Sequence, residues 1–125
     1  MIRGLGIDLV LVSRIESAIG RFGERFASRV YTPEERRQSG GKPTFLAGRF
    51  AVKEALLKAL GTGLAEGVRW KEIETLSRET GAPEVRCSGR VLDLLGRRGI
   101  GKIWASLSHE RDHVVAVVVL EGPPS

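Results

Sequence analysis

Thr44-Phe45-Leu46-Ala47-Gly48-Arg49-Phe50-Ala51-Val52-Lys53-Glu54-Ala55-Leu56-Leu57-Lys58-Ala59-Leu60, closed by Gly61, reads as one long helix. At about 100° per residue, Phe45, Val52 and Leu56 fall on one side and Leu46, Phe50, Leu57 and Leu60 on another. A helix that is apolar on two sides buries most of its surface, so this one belongs at the centre of the fold. Glu54 and Lys58 share the remaining face, beside Ala47, Ala51 and Ala55. Small residues next to charges predict an open pocket there.

Outward from that helix, residues 2–9 read as a strand with Leu5, Ile7 and Leu9 on one face and Gly4, Gly6 and Asp8 on the other. Residues 13–30 read as helical, with Ser13 as N-cap and a bend near Gly20 and Gly23. Ile15, Ile19, Phe22, Phe26 and Val30 give this segment a core side, while Arg14, Arg21, Arg25 and Arg29 give it a basic side. Thr32-Pro33-Glu34-Glu35 marks a new helix start: cap, proline, then acids in the first turn. Gly40-Gly41-Lys42-Pro43 reads as a flexible loop. Strands follow near 71–79 and 84–87, a helix near 89–97, and a hairpin of 102–109 with 113–121 turning at Glu110-Arg111-Asp112, before the tail Gly122-Pro123-Pro124-Ser125. Val114 to Leu120 is apolar on both faces, which predicts a central, covered strand. Helices and strands mix without regular βαβ alternation, so the class is α+β, as one domain over residues 1–125.

The composition fits a folded domain, with 42% apolar and 28% charged residues in a chain of 125. The longest strongly apolar run, Val114 to Leu120, is too short to span a bilayer, so no membrane partner is expected. The start Met1-Ile2-Arg3-Gly4-Leu5-Gly6 has no signal-peptide pattern, which places the protein in the cytoplasm. Cys87 is the single cysteine, excluding an internal disulfide and a cysteine-based zinc site. The net charge of +5 favours an anionic partner: nucleic acid, an acidic protein or a phosphorylated small molecule. At 6% aromatic residues, the chain has little to offer for base stacking.

Glu54 and Lys58 have two readings. They form an i, i+4 salt bridge worth about 0.2–0.5 kcal/mol, or Glu54 holds a cation and Lys58 a phosphate. Asp8 stands inside a strand, where aspartate is depleted, and Gly4 and Gly6 on its face clear the space above the sheet. It either caps the turn into the helix near Ser13 or ligates a metal. Two isolated carboxylates suit magnesium, which completes its shell with water and substrate phosphate oxygens. His109 ends the run Ser106-Leu107-Ser108-His109 just before the hairpin turn, and His113 is given no role. Gly61-Thr62-Gly63 is a helix stop or a backbone cradle for phosphate.

Gly6-Ile7-Asp8-Leu9-Val10, then Arg49-Phe50-Ala51-Val52-Lys53-Glu54-Ala55 with Lys58-Ala59 and Gly61-Thr62-Gly63, then Ser106-Leu107-Ser108-His109, resemble in order the motifs of the holo-[acyl-carrier-protein] synthase family of 4'-phosphopantetheinyl transferases. The resemblance spans essentially the whole chain. It implies an antiparallel sheet packed against a long central helix, in a homotrimer with active sites between protomers. It implies transfer of phosphopantetheine from coenzyme A to a serine of an apo-acyl carrier protein in fatty acid biosynthesis, with magnesium (Mg2+) on Asp8 and Glu54. It implies coenzyme A contacts from Arg49, Lys58, Gly61, Thr62, Gly63, Ser108 and His109. Glu54 is the first candidate for general base and His109 the second. Arg14, Arg21 and Arg25 form the expected docking face for the acidic carrier, and Arg14 also matches a family position. Two rivals are a basic nucleic-acid-binding module, which leaves Asp8 and Glu54 unexplained, and a transferase serving polyketide or peptide-synthase carriers.

Overall fold

The computed structural model describes residues 1–124, so Ser125 of the C-terminal tail lies outside the described residues. The central helix, α4 in chain order, runs Pro43–Leu60. Proline at its first turn costs no hydrogen bond, and Gly61 ends it in the left-handed conformation (φ 79°) that a glycine adopts without strain. Val52, Leu56, Leu57 and Leu60 are fully buried. Each contributes about 1.5–3 kcal/mol relative to an exposed side chain.

Helix α4 lies on a three-stranded antiparallel sheet in the order β1 (Ile2–Leu11), β5 (His113–Glu121), β4 (Lys102–Glu110). The first strand therefore pairs with the last, Asp8 opposite Ala116 and Gly6 opposite Val118. Val114, Ala116, Val118 and Leu120 face α4 and are buried. The central place expected for this strand is observed, but in the single chain it is covered on one side only. On the other face Leu5, Ile7 and Leu9 are 67%, 58% and 62% exposed, with Val115, Val117 and Val119 beside them.

The expectation that Gly4 and Gly6 clear an open space is corrected. A Cβ on Gly6 meets the Ala55 carbonyl oxygen at 1.8 Å, and one on Gly4 meets that of Ala59 at 2.6 Å. Ala47, Ala51 and Ala55 are completely buried. The small residues of both elements bring the backbone of α4 directly onto β1 and leave no pocket between them.

The segment 13–30 forms two helices, α1 (Val12–Phe22) and α2 (Glu24–Val30), broken at Gly23 with φ 56°, while Gly20 continues α1. Ser13 is not the cap. Leu11 holds that position, and Asp112 in the β4–β5 turn serves instead: its carbonyl accepts from Val12 N at 2.9 Å and its Oδ1 from Ser13 N at 3.2 Å. Ile15 and Val30 are buried as expected, but Phe22 is exposed.

Helix α3 (Pro33–Ser39) starts at the expected cap and closes a reciprocal capping box there, with Glu35 N donating to Thr32 Oγ1 and Thr32 N to Glu35 Oε1. Beyond α4, a 3-10 turn at Trp70–Glu72 leads into a separate hairpin of β2 (Ile73–Ser77) and β3 (Pro83–Cys87), and α5 spans Gly89–Arg97. Among the described residues no helix is long and apolar enough to cross a membrane.

Candidate active site

Asp8 points from β1 toward α4, where Lys58 reaches it. Lys58 Nζ donates to Asp8 Oδ1 at 2.8 Å and to the Ile7 carbonyl at 3.2 Å. Lys58 thus bridges helix to strand and does not pair with Glu54 one turn earlier. Nor does Asp8 cap the turn into α1. The Asp8 bond holds the Lys58 ammonium protonated above its usual range. Two of its three N–H donors are engaged, leaving one for a ligand.

Glu54 forms no hydrogen bond or ion pair among the described residues. Burial raises its pKa first, and the nearby charge of Asp8 adds to this. Lys58 and Arg14 oppose the rise. Asp8, Glu54, Lys58 and Arg14 are therefore one electrostatic cluster, which brings together four of the residues singled out in the sequence. A cation beside the two acids would relieve both the burial and the repulsion that strain ionised Glu54. Among the described residues no group of three or more His, Cys, Asp or Glu side chains converges. Two carboxylates with water and substrate oxygens are what magnesium accepts, so the donor set fits that ion.

A second group forms at the other half of α4. Arg49 is buried, its Nη2 donates to Ser77 Oγ at 2.6 Å, and its guanidinium lies 3.8 Å from the Phe45 ring centroid. Its buried Nε has no partner, and burial lowers its pKa. Arg49 lines a cavity of about 530 Å³ with Lys42, Phe45, Ser108 and His109. A guanidinium lining a cavity is chemically suited to receive an anion. By register, His109 shares the α4 face with Val114, whereas Ser108 stands with Val115 and Leu9 on the outer face. Arg49 is nine positions from Lys58, about 13 Å along the helix, so one chain presents two separate clusters.

Gly61, Thr62 and Gly63 follow Lys58 directly. The N–H groups of Gly61 and Thr62 are engaged by the Leu57 and Lys58 carbonyls as a helix cap, which leaves the Gly63 N–H for a ligand. Arg14 lies at the edge of the acid cluster, while Arg21 lies over the Phe22 ring and Arg25 lines a shallow cavity with Phe22, Phe26 and Arg29.

A sequence profile described as the 4'-phosphopantetheinyl transferase superfamily matches residues 4–118. The chain belongs to this superfamily. The transferase is 50% identical to a holo-[acyl-carrier-protein] synthase of Solidesulfovibrio magneticus over 123 residues, covering 98% of this chain and all (100%) of the relative. Its fold matches the crystal structure of the Neisseria meningitidis holo-[acyl-carrier-protein] synthase, with TM-score 0.86, 42% identity, and coverage of 97% and 99% of the two chains. It also matches the Helicobacter pylori synthase solved in complex with coenzyme A, with TM-score 0.85, 32% identity, and coverage of 94% and 99%. The antiparallel sheet on a long central helix is thus the fold of known members of the family.

One polar pair of the transferase escaped the sequence reading. Lys53 and Glu35, both completely buried, pair at 2.9 Å. Lys53 also donates to the Trp70 and Ile73 carbonyls, and Glu35 Oε2 accepts from Thr75 N at 2.9 Å. The pair locks α3, α4 and β2 together on the far side of α4 from the acid cluster. The one available signal was that Phe50, Leu56 and Leu57, one turn either side of Lys53, are large and apolar.

Proposed function

We infer that this protein is a holo-[acyl-carrier-protein] synthase. It transfers the 4'-phosphopantetheine group of coenzyme A to a serine hydroxyl of an apo-acyl carrier protein and releases adenosine 3',5'-bisphosphate. Whole-length similarity to holo-[acyl-carrier-protein] synthases carries this reading, and the Asp8, Glu54 and Lys58 cluster gives it a site. The complex of the Helicobacter pylori relative with coenzyme A supports the donor. One domain over residues 1–125 carries the activity, and its place in fatty acid biosynthesis puts it in the cytoplasm.

Asp8 and Glu54 would hold the magnesium ion, which supplies charge neutralisation on the diphosphate when bound. The remaining steps belong to the chain's own groups. The carrier serine Oγ bonds to the β-phosphorus while the bond from that phosphorus to the bisphosphate oxygen breaks. The serine proton passes to Glu54, directly or through water. His109 is the second candidate for the base and serves more as a positioning group. Lys58 directs its free N–H at the diphosphate. Arg49, Ser108 and His109, which line one cavity, receive the anionic end of coenzyme A, and Gly61, Thr62 and Gly63 line its path. Positioning and charge account for the rate, because no covalent enzyme intermediate is needed.

The carrier docks on Arg14, Arg21 and Arg25. A homotrimer assembled through the exposed Leu5, Ile7 and Leu9 face covers those leucines and isoleucine and joins the two clusters across protomers. The test is incubation with coenzyme A, magnesium and apo-acyl carrier protein, followed by intact mass. The carrier gains about 340 Da, one phosphopantetheine arm. A panel of carriers that stays unmodified refutes the function.

A further inference from the structure

The loop after α4 is thinly held. Within it, Ala65 N donates to the Thr62 carbonyl at 3.2 Å, Val68 N to the Ala65 carbonyl at 3.4 Å, and Thr62 Oγ1 to the Gly63 carbonyl at 3.0 Å. Glu66 sits at φ 61°, a left-handed conformation that a residue with a Cβ keeps only when its surroundings hold it there. Among the described residues, one side chain from beyond α4 and the loop bonds to positions 61–68. It is Arg90, in the first turn of α5, whose Nε donates to the Glu66 carbonyl at 2.9 Å.

Arg90 is itself well fixed. Its Nη1 donates to Asp93 Oδ2 at 2.6 Å, which sets the plane of the guanidinium. Its backbone N–H donates to Glu72 Oε2 at 3.0 Å. The other oxygen of Glu72 accepts from Arg69 N at 3.1 Å and Val91 N at 3.4 Å. One carboxylate therefore ties the far end of the loop to the start of α5, and Arg90 reaches back from that anchor to the loop's strained residue.

We propose that Arg90 is a positioning residue for the transferase: it holds Glu66 left-handed and so fixes the Gly61–Gly67 loop that coenzyme A must meet, without touching substrate. This rests on the reading of Gly61, Thr62 and Gly63 as coenzyme A contacts. Without the Arg90 bond, Glu66 relaxes to negative φ, the Glu66–Gly67 peptide turns, and the open end of the loop, including the free N–H of Gly63, loses its place.

Arg90→Ala, Arg90→Lys and Gly63→Ala test this by steady-state kinetics in each substrate, with hydrogen exchange and melting temperature measured on the same samples. Arg90→Ala raises KM for coenzyme A roughly three- to tenfold, the effect of one lost hydrogen bond of ordinary net strength. It leaves KM for the carrier unchanged, and it speeds exchange in residues 62–67 alone. Arg90→Lys, whose ammonium reaches the same carbonyl, recovers part of the loss. Gly63→Ala, strained at φ 57°, raises KM for coenzyme A by itself. If Gly63→Ala acts and Arg90→Ala does not, positioning by Arg90 is wrong and the loop contact stands. If Gly63→Ala leaves KM unchanged, the loop contact fails and the inference falls with it. A general fall in melting temperature with faster exchange throughout α5, at unchanged KM, reduces Arg90 to a helix stabiliser and overturns the proposal.

Discussion

Replacing Gly6 by alanine tests the central packing of this fold. The added Cβ stands 1.8 Å from the Ala55 carbonyl oxygen and 2.9 Å from both Ala55 C and Ala59 N. None of these atoms can rotate away, because all belong to the backbone of α4. Ordinary contact begins at 3.4 Å, so the helix must lift by about 1.6 Å, and overpacking of this kind costs about 1–3 kcal/mol or more. The upper end applies here, since the whole helix moves and Val52, Leu56 and Leu57 lose contacts with it. About 3 kcal/mol is roughly a 150-fold loss in the folding constant, or roughly 10 °C in melting temperature. Asp8, two residues on and on the same face, moves relative to Lys58, so turnover per folded molecule falls as well. The control is Gly20→Ala, the same chemical change in α1, where a Cβ meets nothing within 4 Å. That variant gains about 0.4–1 kcal/mol by restricting the unfolded chain. Urea unfolding at one fixed protein concentration, with turnover measured on the same samples, separates the two. A Gly6→Ala protein with wild-type midpoint and turnover refutes the close-approach account.

Three further outcomes follow from particular side chains. Lys53→Met leaves Glu35 buried without its cation and costs about 3–5 kcal/mol, part of which returns in the Lys53→Met, Glu35→Gln double variant; urea midpoints decide, and a stable single variant contradicts the buried pair. Glu54 holds its proton to higher pH when folded than its ordinary value of 4.5. The unfolded chain then ionises first, so this group makes the fold less stable as pH rises through that window, and the loss is complete once folded Glu54 has ionised. In chelated protein, Glu54→Gln should match wild type near about pH 4 and be the more stable near about pH 7, while losing most turnover; a melting-temperature gap that does not widen with pH counts against it. Arg21→Ala should raise KM for the carrier at low salt and not for coenzyme A, with the difference shrinking as ionic strength screens the contact; an unchanged carrier KM at low salt moves the docking site elsewhere.

Local signals were legible in the sequence: Gly61 ends α4, Thr32 with Pro33 starts α3, and an aspartate inside a strand drew notice to Asp8, whereas Pro43, read as loop, is the first residue of α4. The failures at the site and in the central packing involve partners distant along the chain. Glycine on a strand face signals open space and closest approach equally, and what decides at Gly6 is a carbonyl in α4. Ser13 looked like a cap because the true acceptor, Asp112, is 99 residues away. Glu35 was fully accounted for as a capping acid, so nothing asked for Lys53. Glu54 and Lys58 read as a pair within one helix, yet Lys58 turns to Asp8, 50 residues earlier. Periodicity places a side chain on a face and does not say which element meets that face.

The pairing of β1 with β5 also bears on how the protein is made. When β1 leaves the ribosome, its hydrogen-bonding partner does not yet exist. At roughly 5–20 residues per second, the stretch from Leu11 to His113 takes on the order of 5–20 s to synthesise. Once α4 has been made, the nascent chain holds it without its sheet for the rest of that interval, and Asp8 has no fixed place beside Lys58. The acid cluster therefore comes into being only after His113–Glu121 has cleared the exit tunnel and slotted between β1 and β4. Until then Leu5, Ile7 and Leu9 lie on an unpaired strand edge, the part of the nascent protein most in need of a chaperone.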